Sequence, residues 1–221
     1  VTARFHPYIY SDQEIRALVR AAGELSGRLR PHTYATLILL LYTTGLRIGE
    51  AVRLHISDLD RGRAVVHIRA GKFRKSRLVP ITASLLTRLD LYLNQRRGVG
   101  APTGPEAPFF WNPRGRQYSL VGIQHGISQL LDAVCGKRPG RGNGPRVHDL
   151  RHTFAVHRLL RWYREGADVQ AKLPLLATYL GHRTFLSTQF YLTATPELLA
   201  EASCRFHNSF GSVVHLQEES L

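Results

Sequence analysis

The sequence has few of the features that mark a secreted or membrane-bound protein. Its 221 residues include only two cysteines, Cys135 and Cys204, which cannot make a disulfide framework and lack the spacing of a zinc site. The longest apolar run, Leu37 to Tyr42, is far too short to cross a bilayer. The first four residues also lack the apolar stretch of a signal peptide. We therefore expect an intracellular, reducing location.

Acidic residues are scarce as well. The 16 Asp and Glu residues face 30 Lys and Arg residues, which gives a formal net charge of +14 at pH 7. Such an excess indicates a polyanionic partner, most often a nucleic acid. Hydrophobic residues make up 43% of the chain, which is enough to build a core. We therefore do not expect the chain to be disordered over its whole length. Methionine is absent even from position 1, so we expect the chain to be a piece of a longer protein.

The hydrophobic pattern predicts a mainly helical fold with one β-hairpin. Ser11 opens a helix with the spacing of a capping box. Residues 33–44 are apolar on nearly all sides, which is typical of a buried central helix, and Gly45 ends it. Two short apolar segments, 65–69 and 77–81, flank a basic turn and predict the hairpin. Further helices are expected at residues 47–54, 85–93, 120–134, 149–163 and 173–180.

Two stretches carry most of the excess positive charge. Residues 61–97 contain ten Arg or Lys and one acid, and residues 137–164 contain eight and one acid. Charge alone leaves two interpretations open, namely solvated surfaces or a groove that lines the backbone of a DNA duplex. The side chains expected to contact that backbone are Arg74, Lys75, Arg77, Lys137, Arg138, Arg141, Arg146 and Arg183. The loop 136–146 could instead be disordered without DNA.

Four separated blocks combine residue types that suit phosphate chemistry. The first is TTGLRIGE at residues 43–50, and the second is the hairpin turn with Lys72. The third is HDLRH at residues 148–152. The fourth is LGH at residues 180–182, followed nine residues later by Tyr191. Each block alone is a weak pattern, but their order and spacing together form a specific signal.

These blocks resemble the tyrosine recombinases, also called the phage-integrase family, and the likeness runs from about residue 11 to residue 201. The resemblance implies an α+β fold that is mainly α, with a small antiparallel β-sheet packed beside a helical core. It also implies that five basic side chains surround one scissile DNA phosphate, which Tyr191 attacks. These five are Arg47, Lys72, His148, Arg151 and His182. Glu50 would buttress Arg47, and His152 would have a supporting, more buried role.

The chemistry of these side chains agrees with such a site. Negative charge gathers on the non-bridging oxygens in the transition state, and a planar guanidinium can bind two of them at once. A tyrosine hydroxyl has a reference pKa of about 10, so it needs a group such as His148 to take its proton. Lys72 can protonate the departing 5′ oxygen. The blocks include no carboxylate cluster for a divalent metal, so we expect a mechanism without metal or cofactor. The expected product is a 3′-phosphotyrosyl link, which conserves the bond energy, so resealing would need no ATP.

The resemblance also implies a domain organisation and a set of partners. Residues 1–196 would form the catalytic domain. Residues 197–221 would form a tail that docks on a neighbouring protomer, with Leu198 in its apolar face. Family members usually carry an N-terminal DNA-clamping domain, also called the core-binding domain, and we expect it to be absent from this chain. The expected partners are double-stranded DNA and further copies in a tetramer, in a cytoplasmic, nucleoid-associated setting of a prokaryote or phage, without a membrane.

Several alternatives stay open. A type IB topoisomerase-like enzyme would use the same site to relax any supercoiled duplex. A non-catalytic DNA-binding module of this fold would have lost a catalytic residue, and a basic RNA-binding protein would lack the four blocks. His148 and His152 have the spacing of a zinc helix, but Arg151 would then face a cation. Taken singly, Arg47 could form a surface ion pair and Tyr191 could be a core aromatic.

Overall fold

The computed structural model describes residues 7–69, 76–112, 115–136 and 144–182, together with Thr188, Tyr191, Leu198 and Ala200. Two compact units share the chain. The first unit contains residues 1–154 and 179–181, and the second contains residues 155–178 and 182–221. The predicted boundary after residue 196 stays a prediction, because its flanking residues lie outside the described ranges.

The first two helices begin and end where local chemistry predicts. Helix α1 (Asp12–Gly23) starts with the predicted capping box, in which Ser11 and Glu14 exchange side-chain and backbone hydrogen bonds. Helix α2 (Arg30–Thr44) is buried on nearly all sides. Its Pro31 lies in the first turn, where a helix does not need that N–H, so the helix begins earlier than predicted.

A three-stranded antiparallel sheet lies in the first unit, after the short helix α3 (Ile48–Val52) and a 3₁₀ turn at Ile56–Asp58. Its strands are β1 (Leu59–Asp60), β2 (Val65–Ile68) and β3 (Arg77–Pro80), in that spatial order. Strands β2 and β3 confirm the predicted hairpin, with Val66 opposite Val79. Pro80 ends the edge strand β3, where a missing N–H is tolerated. The hairpin tip, residues 70–75, is not among the described residues.

The rest of the first unit packs more helices around the same hydrophobic core. Helix α4 (Ala83–Arg97) is followed by a loop and by two antiparallel strands of two residues each, β4 (Trp111–Asn112) and β5 (Arg116–Gln117). Helix α5 (Leu120–Cys135) comes next. Tyr92 of α4 stacks on Phe109, with ring centroids 5.8 Å apart. These buried rings fix the loop against α4, because aromatic pairs add specific geometry to apolar burial.

Two helices run across the division between the units. Helix α6 (Asp149–Arg164) has its first six residues in the first unit, and α7 (Val169–Leu180) has its last two residues there. Helix α7 begins four residues earlier than predicted, with Asp168 accepting a hydrogen bond from the Ala171 backbone N–H at 3.0 Å. None of the described helices is both long and apolar enough to span a membrane. The predicted fold class, mainly α with a small antiparallel sheet, is confirmed.

Candidate active site

Arg47 and Glu50 form a reciprocal pair at the start of α3. Gly45 ends α2 in a left-handed conformation, with φ of 63°, and turns the chain so that Arg47 is extended ahead of α3. The Arg47 backbone N–H donates to Glu50 Oε2 at 3.0 Å, and Arg47 Nη1 donates to Glu50 Oε1 at 3.0 Å. Glu50 therefore contacts Arg47 at both its backbone and its guanidinium, while its supporting role in the reaction, which the family resemblance implies, stays a prediction.

A second arginine binds the same carboxylate. Arg77 of β3 donates from Nη1 to Glu50 Oε1 at 3.1 Å and from Nη2 to Glu50 Oε2 at 2.9 Å. The Glu50 side chain is only 2% exposed. Burial raises the pKa of Glu50, but the hydrogen bonds and positive charges of Arg77 and Arg47 outweigh it and lower the pKa from 4.5 to about 2. Glu50 is thus a fixed buried anion at neutral pH.

Arg151 of α6 joins the ends of two helices. The residue is 2% exposed. Its Nη1 donates to the Gly45 carbonyl at 2.7 Å, and its Nη2 donates to the Leu180 carbonyl at 2.7 Å. Both acceptors are carbonyls at helix C-termini, which have no partner within their own helix and attract cations. Arg151 is therefore held rigidly beside the turn that precedes Arg47.

Three arginines from different elements bind three consecutive carbonyls at the C-terminal end of α7. We call this arrangement the arginine cap. Its hydrogen bonds run from Arg77 Nε to the Tyr179 oxygen at 2.9 Å, from Arg151 Nη2 to the Leu180 oxygen at 2.7 Å and from Arg47 Nη2 to the Gly181 oxygen at 3.4 Å. Gly181 itself has φ of 69°, the usual conformation of the residue that ends a helix. Cations at a helix C-terminus satisfy the orphan carbonyls and the negative end of the dipole.

His148 lies at the surface of the first unit, just before α6. Its ring meets the His152 ring edge-on, with centroids 4.9 Å apart. Loss of hydration lowers the pKa of His148, and the positive charges of Arg151 and Arg47 lower it further, while Asp149 acts in the opposite direction. The neutral imidazole is therefore favoured, which can accept a proton.

A groove of about 400 Å³ opens beside His148. It is lined by Gln124, Ser128, Pro145, Arg146, Val147, His148 and His152. Arg146, which we expected to contact DNA, has a side chain 46% exposed and donates from Nε and Nη2 to the buried Asp149 carboxylate at 3.2 and 2.9 Å. Asp149 thus fixes a cationic side chain in the wall of this groove.

His182 and Tyr191 belong to the second unit. The two rings are nearly parallel, at 19°, with centroids 6.1 Å apart, and Tyr191 is only 2% exposed. The His182 backbone N–H donates to the Ala177 carbonyl at 2.9 Å, which closes a Schellman motif around Gly181. His182 Nδ1 lies 2.8 Å from the hydroxyl of the buried Thr188.

The sequence did not predict that Thr188 and Arg77 contact residues of the predicted site. The position of Thr188, six residues after His182, gave no signal of its own. Arg77 was expected only to bind DNA, and that expectation is not tested, although the guanidinium is occupied by a carboxylate and a carbonyl. Leu198, expected to face a neighbouring protomer, is buried in this chain.

The remaining basic residues of the predicted site lie outside the described residues, and their roles stay predictions. They are Lys72, Arg74, Lys75, Lys137, Arg138, Arg141 and Arg183. Among the side chains that the structure does describe, no group of three His, Cys, Asp or Glu residues could hold a metal ion. The expectation that the reaction needs no metal remains a prediction.

Comparison with known proteins gives consistent matches. The model of the phage integrase family matches residues 9–197. The protein y4rB of Sinorhizobium fredii, an integrase/recombinase by name, is 43% identical over 208 residues, covering 91% of this chain and 66% of that protein. Tyrosine recombinase XerA of Pyrococcus horikoshii is 29% identical over 196 residues, covering 89% of this chain and 60% of that protein.

A solved structure agrees with these matches in fold. The crystal structure of XerA recombinase superposes with a TM-score of 0.71 at 25% identity, covering 93% of this chain and 65% of that one. The chain therefore spans about two thirds or less of the length of the proteins that it resembles.

Proposed function

The chain belongs to the phage integrase family, and on that premise we propose that it is the catalytic part of a site-specific DNA recombinase, or integrase. The reaction would cut one DNA strand at each of two sites, hold each 3′ phosphate on Tyr191, exchange strands and reseal them. The energy of the phosphodiester bond is kept in the phosphotyrosyl link, so resealing would need no ATP. Metal would not be required either.

The observation that carries the proposal is the convergence of Arg47, Arg151 and His148 in the first unit. Arg47 directly precedes α3 and Arg151 lies in α6, and the positive charges of both lower the pKa of His148 further than loss of hydration alone does. The Arg151 guanidinium is anchored by two backbone carbonyls, and that of Arg47 by one backbone carbonyl and by Glu50. Donors that are fixed before charge develops stabilise a transition state without reorganising. In this proposal the two guanidinium groups bind the non-bridging oxygens of the scissile phosphate.

Tyr191 is the proposed nucleophile and His148 is the proposed base. The lowered pKa of His148 favours the neutral ring at pH 7, so it can accept the phenolic proton as the bond to phosphorus forms. Tyr191 is buried in the second unit, so the reaction requires its hydroxyl to become exposed to the phosphate. The breaking bond is that between phosphorus and the 5′ oxygen. Lys72 would give this oxygen its proton, and His182 would donate a further hydrogen bond to the phosphate.

The proposed partners follow the same premise. The net charge of +14 suits double-stranded DNA, and the exposed part of Arg146 would contact its backbone. Four protomers would assemble on two duplexes, with residues 197–221 docking on a neighbour. The setting would be the nucleoid in the cytoplasm of a prokaryote, or of the host of a phage. Whole-protein recombination would also use the parts of such a protein that lie beyond this chain.

The names of the relatives favour recombination over simple DNA relaxation. A type IB topoisomerase-like enzyme would share the chemistry at Tyr191, but the relatives reported above are named integrase, recombinase and tyrosine recombinase. A non-catalytic DNA-binding module would have lost a member of the catalytic set, and all six are present in the sequence.

A nicked suicide duplex tests the chemistry directly. Cleavage of such a DNA releases a short 5′-hydroxyl fragment, so the covalent adduct accumulates and survives SDS. We expect an adduct with the unaltered chain in EDTA, and none with Tyr191→Phe, whose affinity for DNA should stay within a few-fold. Tyr163→Phe, a tyrosine of α6 in the same unit, is the matched control and should form the adduct normally.

Three results would contradict the proposal. An SDS-stable adduct with Tyr191→Phe would exclude Tyr191 as the nucleophile. Mapping of the linked strand shows which DNA end the protein holds. Attachment to a 5′ phosphate would exclude the proposed 3′-phosphotyrosyl link. A strict requirement for a divalent metal would exclude the mechanism in which only protein side chains stabilise the phosphate.

A further inference from the structure

Arg77 makes contacts that a DNA-binding arginine on a hairpin does not need. Its side chain is 13% exposed, although β3 is an edge strand. Three nitrogens of the guanidinium donate to acceptors within the protein, two to Glu50 and one to the Tyr179 carbonyl. A bidentate pair with a carboxylate is among the strongest hydrogen-bonded arrangements that proteins form. Contact with a DNA phosphate would have to compete with this buried pair.

The pair connects Arg77 to Arg47 through a shared atom. Glu50 Oε1 accepts from Arg47 Nη1 at 3.0 Å and from Arg77 Nη1 at 3.1 Å, while Glu50 Oε2 accepts from Arg77 Nη2 at 2.9 Å. The carboxylate plane is therefore set by the two-pronged contact with Arg77. The direction in which Glu50 presents Oε1 to Arg47 depends on that plane.

Arg77 also fixes the last turn of α7. Its Nε donates to the Tyr179 carbonyl, and its guanidinium lies directly against Gly181. A Cβ at Gly181 would be 2.9 Å from Arg77 Nη1 and 3.1 Å from Cζ, so only glycine allows this approach. His182 is the next residue along the chain. The guanidinium therefore connects the support of Arg47 to the peptide that precedes His182.

We propose that Arg77 is a positioning residue of the reaction, which orients Arg47 through Glu50 and fixes the end of α7 from which His182 follows, and that it does not bind DNA. This inference rests on the proposed function. Lysine would replace it only in part, because an ammonium group keeps the charge but lacks the planar fork that binds both carboxylate oxygens and a carbonyl at once.

The test separates DNA binding from the chemical step. Arg77→Gln and Arg77→Lys are compared with the unaltered chain for affinity to the nicked suicide duplex across a range of salt, and for the rate of adduct formation when that duplex is saturating. Arg20→Gln, which removes an exposed arginine from the last turn of α1, is the charge-matched control. We expect the rate to fall about 10- to 100-fold in Arg77→Gln, the range typical of groups that orient a functional side chain, and less in Arg77→Lys. The control rate should be unchanged.

The salt dependence should not change in either variant. Loss of one phosphate contact would reduce the slope of log affinity against log salt by about one. A positioning residue leaves that slope intact. A reduced slope with an unchanged rate at saturating DNA would identify Arg77 as a phosphate contact and overturn the inference.

Two further readouts exclude a merely structural role. If Arg77 acts on Arg47 through Glu50, then Arg77→Gln combined with Glu50→Gln should be no slower than the slower single variant, whereas independent effects would multiply. Arg77→Gln should also gain a fall in rate on the acid side, because a buried Glu50 without that donor holds its proton more tightly. The double variant has no carboxylate at position 50 and should not show that fall.

The outcomes distinguish this inference from the proposed function. If the unaltered chain forms no adduct, the proposed function fails. If it forms the adduct and Arg77→Gln reacts at the same rate, or if the two substitutions multiply, only the inference fails. Should Arg77→Gln lose its cooperative urea transition, the decision passes to Arg77→Lys, for which an unchanged rate would equally refute the role.

Discussion

Replacing Gly45 with alanine changes the turn that brings α2, α6 and α7 together. Gly45 has φ of 63°, and a Cβ there would lie 2.6 Å from Phe154 Cδ1 and 2.8 Å from Leu180 Cδ2. Both distances are far below van der Waals contact, and both neighbours are buried. The Gly45 carbonyl also accepts the hydrogen bond from Arg151 Nη1. Any shift that relieves the clash therefore moves an acceptor of Arg151.

The expected destabilisation is large compared with the stability of a domain. A left-handed conformation costs an L-residue roughly 1–2 kcal/mol. Forcing a methyl group into a packed core costs about 1–3 kcal/mol more, depending on how far the neighbours can move. The free energy of unfolding should thus fall by roughly 2–5 kcal/mol, out of the ~5–15 kcal/mol typical of proteins.

Urea denaturation followed by far-UV circular dichroism measures this difference. Gly49→Ala is the matched control, because it lies in the same motif but within α3, where its Cβ would meet Arg53 Nη1 at an ordinary 3.5 Å. We expect Gly49→Ala to be unchanged or up to about 1 kcal/mol more stable. A change of less than about 0.5 kcal/mol in the free energy of unfolding is the size expected of an ordinary surface substitution. Such a small change in Gly45→Ala would refute the packing described at this turn.

Two further predictions concern titrating groups. Glu50→Gln should lower the free energy of unfolding at pH 7 by about 3 kcal/mol, since folding lowers the pKa of this buried carboxyl from 4.5 to about 2. The ionised carboxylate contributes this stability above pH 4.5 and loses it as the pH falls towards 2. In urea denaturation, the difference in unfolding free energy between the unaltered chain and Glu50→Gln should therefore close over the same pH range. The pKa of His148 should lie below 6.5 in the DNA-free chain, which NMR can follow with His148→Gln for assignment. Because the unfolded chain then binds this proton more readily, stability should decline as the pH falls below 6.5. A midpoint at or above 6.5 would contradict the loss of hydration and the positive charges at this ring.

Local signals predicted much of the fold. The Ser11 capping box, the end of α2 at Gly45 and the pairing of β2 with β3 all depend on residues close in sequence, and all three are confirmed. The two-residue strands β1, β4 and β5 were missed, because such short pairings carry no alternating pattern. Helix α7 was predicted to start late, because Pro174 lies inside its early turns and hides the periodicity.

The candidate site was predictable only where its partners are neighbours in sequence. The contact of Arg47 with Glu50 joins residues three positions apart, a spacing at which side chains of one helical turn can meet. Arg77 reaches the same carboxylate from a strand 27 positions away, so its place depends on how the hairpin packs beside α3 and α7. A basic residue on a hairpin most often faces solvent, which is why the sequence favoured a DNA contact. Tertiary packing, not local preference, decides this residue.

The arginine cap also limits how far the proposed nucleophile, Tyr191, can lie from the end of α7. Gly181 is pinned at its carbonyl by Arg47, and Tyr191 follows it by ten positions. A fully extended chain covers at most about 3.6 Å per residue, so the Cα atom of Tyr191 lies no more than roughly 36 Å from that of Gly181. In the proposed reaction, the phosphate that Tyr191 attacks would lie within this distance plus the length of the tyrosine side chain, whether its own protomer or an adjoining one binds it. Residues inserted between Gly181 and Tyr191 would extend this reach without changing the side chains proposed to bind the phosphate.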